Sequence, residues 1–77
     1  MRAERERAAA TARLERDRTL LASADRIAAM SLRAYEEGAA PLATVLEAQR
    51  AARDILLQYV DDVAAARIAA AAVSLVT

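Results

Sequence analysis

The chain holds one glycine, Gly38, and one proline, Pro41, three positions apart near its midpoint. No other residue interrupts a helix outright, so the polypeptide has one place to reverse direction. Gly38 takes the left-handed backbone conformation that ends a helix, and Pro41 has its φ preset for the first turn of the next one. A helix stop followed directly by a helix start predicts an all-α chain with helix 1 over about 2–37, a turn at 38–41 and helix 2 over about 42–76. At a rise of about 1.5 Å per residue, arms of about thirty-five residues make a rod on the order of 50 Å long.

Both arms carry a heptad stripe. In the first arm Leu14, Leu21, Ala28 and Tyr35 recur every seven residues, with Leu20, Ile27 and Ala34 one position earlier. The intervening Asp17, Ala24 and Ser31 are small or polar, which predicts a narrow seam that lets the partner backbone approach closely. In the second arm Val45, Gln49, Ala52, Leu56, Tyr59, Val63, Ala66, Ala70 and Val73 alternate steps of four and three without a break. Two such helices joined by a short turn predict an antiparallel two-helix coiled-coil hairpin. Leu46, Ile55, Val60, Ile68, Leu75 and Val76 fall outside that stripe, and Met30 and Leu32 lie off the first one. After Asp62 the only charge is Arg67, so the second arm ends apolar almost all round. A helix of that kind is buried on more than one side, which one hairpin partner does not achieve, so packing into a larger helical barrel or a self-associated bundle is expected.

Helix 1 opens on mixed charge, with Arg2 and Glu6, Glu4 and Arg7, Arg13 and Asp17, and Glu15 and Arg18 at helical spacing. Each such pair contributes roughly 0.2–0.5 kcal/mol on an exposed helix. The opening turns are therefore expected to fray unless another element covers their alanines.

Composition removes most chemistry. With 77 residues, no Phe and no Trp, only Tyr35 and Tyr59 are aromatic, and a chain this short buries only about 60% of its unfolded surface alone. The eleven basic residues, all arginine, balance eleven acidic ones. That balance gives no basic stripe for an RNA-binding arm or any other nucleic-acid surface. Cysteine and histidine are absent, which excludes disulfides, thiol nucleophiles, imidazole bases and nearly all zinc and copper sites. The adjacent carboxylates Glu36 with Glu37 and Asp61 with Asp62 point about 100° apart on a helix and do not converge on one atom, so they read as solvated charges. No catalytic residue, cofactor or metal site is expected. The run from Val63 to Thr77 is too short to span a bilayer and is broken by Arg67, and this stretch contains no charged start followed by an apolar signal core.

Tyr35 to Arg50 reads Tyr-Glu-Glu-Gly-Ala-Ala-Pro-Leu-Ala-Thr-Val-Leu-Glu-Ala-Gln-Arg. It resembles the signature Tyr-x-x-Gly-x-x-x-[hydrophobic]-x-x-Val-Leu-[Asp/Glu]-Ala-Gln-Arg of the TolC-like outer-membrane factors of bacterial efflux systems. The resemblance implies a trimer whose hairpins build a periplasmic α-barrel on an outer-membrane β-barrel. The hairpin tip then docks on a periplasmic adaptor protein, which links the conduit to an inner-membrane pump. It assigns Tyr35, Glu36, Glu37, Gly38, Ala39, Ala40, Pro41 and Leu42 to the docking tip, and Thr44 and Glu47 to a pore-facing aperture. Three copies of Glu47 around a narrow ring favour cations and raise one another's pKa.

Some residues depart from that pattern. Glu37 stands where members often have an apolar residue, Ala40 where some have arginine, and Thr44 where some have a second pore-facing acid, so a two-ring acidic gate does not carry over. Pro41 and the acidic tip lean toward the branch that exports heavy-metal cations. The likeness is strong over Tyr35–Arg50, fair on to Thr77 and only compositional before Ser31. It implies that the chain is one hairpin of a longer outer-membrane protein, whose export signal lies outside this stretch. The other reading of the same residues is a free-standing coiled-coil hairpin that dimerises into a four-helix bundle and transports nothing.

Overall fold

The computed structural model describes residues 1–76, and side chains through residue 75. It is all-helical and runs α1, Arg2–Glu36, then α2, Leu42–Val76, each of 35 residues. The two helices pack along their length as an antiparallel hairpin of 58 × 14 × 12 Å.

The reversal follows from the backbone hydrogen bonds at the end of α1. Gly38 has φ of 77°. Its N–H donates to the Tyr35 carbonyl at 3.0 Å, and the N–H of Ala39 reaches back to the Ala34 carbonyl at 2.7 Å. These two bonds make a Schellman cap, in which a left-handed residue lets the chain satisfy carbonyls the helix leaves open. Glu37 is the C-cap and its N–H still bonds to the Arg33 carbonyl at 3.0 Å, so the helix ends one residue earlier than expected. Pro41 immediately precedes α2, and its carbonyl accepts from the Thr44 N–H at 3.1 Å to close the first turn.

Small side chains fill the seam. Ala10 is 1% exposed, Val45 is 2% exposed, and Ala24 and Ala69 are also buried, while no large side chain is fully enclosed. Leu14, Leu21 and Ala28 lie in the seam of α1 as the heptad predicts, with Ala10, Asp17, Ala24 and Ser31 between them. Tyr35, the fourth member of the expected stripe, stays exposed at the tip. Of the alanines in the opening turns of α1, Ala10 is buried and Ala3 partly so, whereas Ala8, Ala9 and Ala12 stay exposed.

In α2 the seam differs from the expected one by a single position on every second step. Val45, Ala52, Tyr59, Ala66 and Val73 lie in it as predicted, but the residues between them are Ala48, Ile55, Asp62 and Ala69. Gln49 and Leu56 are exposed and Val63 and Ala70 flank the seam, while Ile55, expected outside, lies within it. Both stripes satisfy the alternation of three and four, so the choice falls to packing. Ala69 shares a groove with Ala10, and Ala48 and Ile55 share one with Ala24. Small residues facing small residues allow the closer approach that a Gln49–Leu56 stripe would prevent.

The correction carries Asp62 with it. Expected as a solvated charge, Asp62 is 9% exposed, and it packs beside Asp17, which is 5% exposed. Of the four charge pairs expected on α1, Arg2 and Glu6 close at 3.2 Å, whereas Asp17 turns inward and Arg18 bonds to Tyr59.

Candidate functional site: the hairpin tip and the open faces of the second helix

The tip combines a rigid backbone with exposed side chains. The Schellman cap fixes the course of residues 34–39, and from Tyr35 to Thr44 every side chain except that of Ala40 is exposed. Tyr35, Glu36, Glu37, Gly38, Ala39, Pro41 and Leu42 thus present one blunt surface, with Ala40 partly tucked in. Tyr35 and Leu42 supply its apolar contact area. Glu36 and Glu37 supply negative charge where the helix macrodipole already leaves the end of α1 negative, with Arg33 as the basic residue of that last turn. Nothing within 4 Å meets a Cβ built on Gly38, so its glycine is required by φ and not by space.

Thr44 and Glu47 are exposed and lie three positions apart, which places them on one side of α2. Asp54 and Asp61 continue the line at seven-residue spacing and are exposed as well. The expected aperture residues therefore share a face that runs along α2, about 10 Å between successive carboxylates by helical rise.

The second helix is apolar on more sides than α1 covers. Ile55, Leu56 and Leu57 are consecutive, and steps of about 100° carry them from the seam to nearly its opposite side. Ile55 is half-buried, Leu56 is exposed, and Leu57 is 56% exposed. Val60 and Ile68 add to the open surface, Ile68 at 72% exposure. On one side of the hairpin Leu20, Ile27, Ala51 and Ile55 border a shallow, almost wholly apolar groove. A second groove bordered by Ala65, Ile68 and Ala72 lies nearer the chain ends. Met30 and Leu32, off the α1 stripe, are exposed also. Apart from Arg67 and Ser74, residues 63–75 are apolar, with Ile68 and Leu75 exposed, as expected of an end apolar almost all round; the side chain of Val76 and the whole of Thr77 lie outside the described residues.

Between these faces sits a polar cluster that sequence reasoning missed. The Oδ2 atom of Asp17 is buried with no hydrogen-bond partner. The neighbouring Asp62 carboxyl and burial both push the Asp17 carboxyl above the ordinary carboxylate range, against the pull of Arg16 and Arg13. The Gln58 amide donates to Asp62 Oδ1 at 3.2 Å. A signal was present, since Asp17 precedes Gly38 by the same interval by which Asp62 follows Pro41, but it becomes readable only once the turn fixes the register.

Among the described residues no three acidic, histidine or cysteine side chains group to hold a metal ion. Among the described residues no helix is long and apolar enough to cross a membrane. Comparison with protein-family models, with curated proteins and with solved structures finds no match.

Proposed function

We propose that the chain is a wall segment of a periplasmic α-barrel, the passive conduit of a tripartite efflux system, with Tyr35 to Leu42 as the tip that docks a periplasmic adaptor. The observation that carries this reading is the run Ile55, Leu56, Leu57, which makes α2 apolar at its seam and on the side facing away from α1. A helix in a barrel wall has neighbours on two nearly opposite sides. A helix in a dimeric four-helix bundle has them on adjacent sides, and its outer file faces water. Alanine at residues 43, 64 and 71 places small residues in the same outer file as Leu57, with Arg50 its one charge. The signature-like stretch from Tyr35 to Arg50 supports the tip assignment, because its glycine occupies the left-handed position of the cap.

In this reading the intact protein is a homotrimer that does no chemistry on what it passes, whether metal cations or small toxic compounds. Glu47 projects from the wall near the tip, where three copies surround the narrow aperture and favour cations. The pump of the inner membrane is reached only through the adaptor. Fractionation of cells expressing the intact protein tests the reading. The chain should appear in the outer-membrane fraction and cross-link through a cysteine at residue 39 to an adaptor. Recovery as a soluble dimer of hairpins would replace it with the free-standing module.

A further inference from the structure

We propose that the facing carboxyl groups of Asp17 and Asp62 form one proton-binding site inside the hairpin, whose occupancy decides how tightly α1 and α2 close along their seam. The site is built, not incidental. Both residues occupy seam positions of their heptads, where Ala10 and Ala24 flank Asp17 along α1 and Ile55 and Ala69 flank Asp62 along α2. Asp17 is 5% exposed, and its Oδ2 lacks any donor. An ionised carboxylate in that position leaves a buried acceptor unmet and sets two like charges together, and both effects oppose burial. One proton removes both defects, because a protonated carboxyl donates to its neighbour.

The surroundings hold one proton and resist a second. From α2, Gln58 donates to Asp62 Oδ1, which stabilises a remaining negative charge on that side. The Tyr59 hydroxyl accepts from Arg18, and Asp17 Oδ2 receives no bond from it. From α1, Arg13 and Arg16 act on Asp17 and favour its ionised form, but more weakly than the neighbouring Asp62 and burial favour the neutral one. The protons taken up belong to the pair and not to either residue alone.

The direction of the pH dependence follows. A group whose carboxyl is raised in the folded chain above its unfolded value of 3.8 adds stability that is fully present below that value and is lost as pH rises through the folded one. The hairpin should be tightest in acid and loosen toward neutrality. This inference does not rest on the conduit reading, since it concerns the contact between α1 and α2 within one chain.

The test is an NMR titration of the side-chain carboxyl carbons in the whole 77-residue chain, repeated with D62N. Asp17 should titrate above the ordinary carboxylate range, and in D62N, where an amide replaces the facing acid, its midpoint should fall back to or below that range. Urea unfolding of D17N should show a stability that no longer declines between pH 4 and neutrality, whereas the unsubstituted chain declines. An Asp17 midpoint within the ordinary carboxylate range in the unsubstituted chain overturns the proposal without reference to any variant. So does an elevated midpoint that D62N leaves in place.

Discussion

The Arg18 guanidinium donates from Nε to the Tyr59 hydroxyl at 3.2 Å, joining residues 41 positions apart across the two helices. Tyr59 is a seam residue and Arg18 follows the seam residue Asp17, so the bond closes over one edge of the buried acid pair and ties the register of the hairpin to it. The bond itself is open to solvent, which limits its strength. Tyr59→Phe keeps the ring in the seam and removes the acceptor. It should lower hairpin stability by about 0.5–1 kcal/mol in chemical denaturation. A loss several times larger would mean that the hydroxyl has a role the bond does not account for.

The seam itself can be read by truncation. Ile55→Ala should cost roughly 1–2 kcal/mol, less than a fully buried aliphatic because Ile55 is half-buried. Leu56→Ala should change the stability of the isolated hairpin by no more than about 0.5 kcal/mol. Equal losses, or the reverse order, would restore the stripe through Gln49, Leu56 and Val63.

Gly38→Ala isolates the backbone contribution of the turn. With φ of 77° and open space where a Cβ would stand, the cost comes from the left-handed conformation alone, about 1–2 kcal/mol. Gly38→Asn should cost less, because asparagine tolerates that conformation better than alanine does. Thermal unfolding of the two variants side by side gives the comparison, and a larger loss for asparagine would point to a steric requirement that the open space does not show.

The turn and the two helices were legible in the sequence because Gly38 and Pro41 leave no other place to reverse and because the heptad repeats in both arms. The seam of α2 was legible only by half. An apolar pattern through Leu56 and Val63 is more regular than one through Ile55 and Asp62, and periodicity has no means of weighing how closely two backbones approach. The small faces of Ala10, Ala24, Ala48 and Ala69 decide that, and they become visible only when α1 and α2 are laid together. The buried acids were hidden by the same cause, since Asp62 beside Asp61 looks like ordinary surface charge. The position of the turn was legible because a Schellman cap needs only its glycine and the chain on either side.

Glu47 offers a functional prediction for the proposed conduit. Its exposed carboxylate leads the line that continues through Asp54 and Asp61. Glu47→Gln should lower the preference of the closed aperture for cations in single-channel recordings while leaving trimer assembly unchanged. Unaltered ion selectivity would remove Glu47 from the aperture.

The central claim is that α2 is covered on its outer side, at Leu57, as well as along its seam. A nitroxide label at residue 57 measures this directly through its accessibility to a water-soluble relaxation agent in the assembled protein within the cell envelope. The account predicts a label well protected compared with one at the exposed tip residue Ala39. A label at residue 57 as freely reached as the one at Ala39 would contradict it.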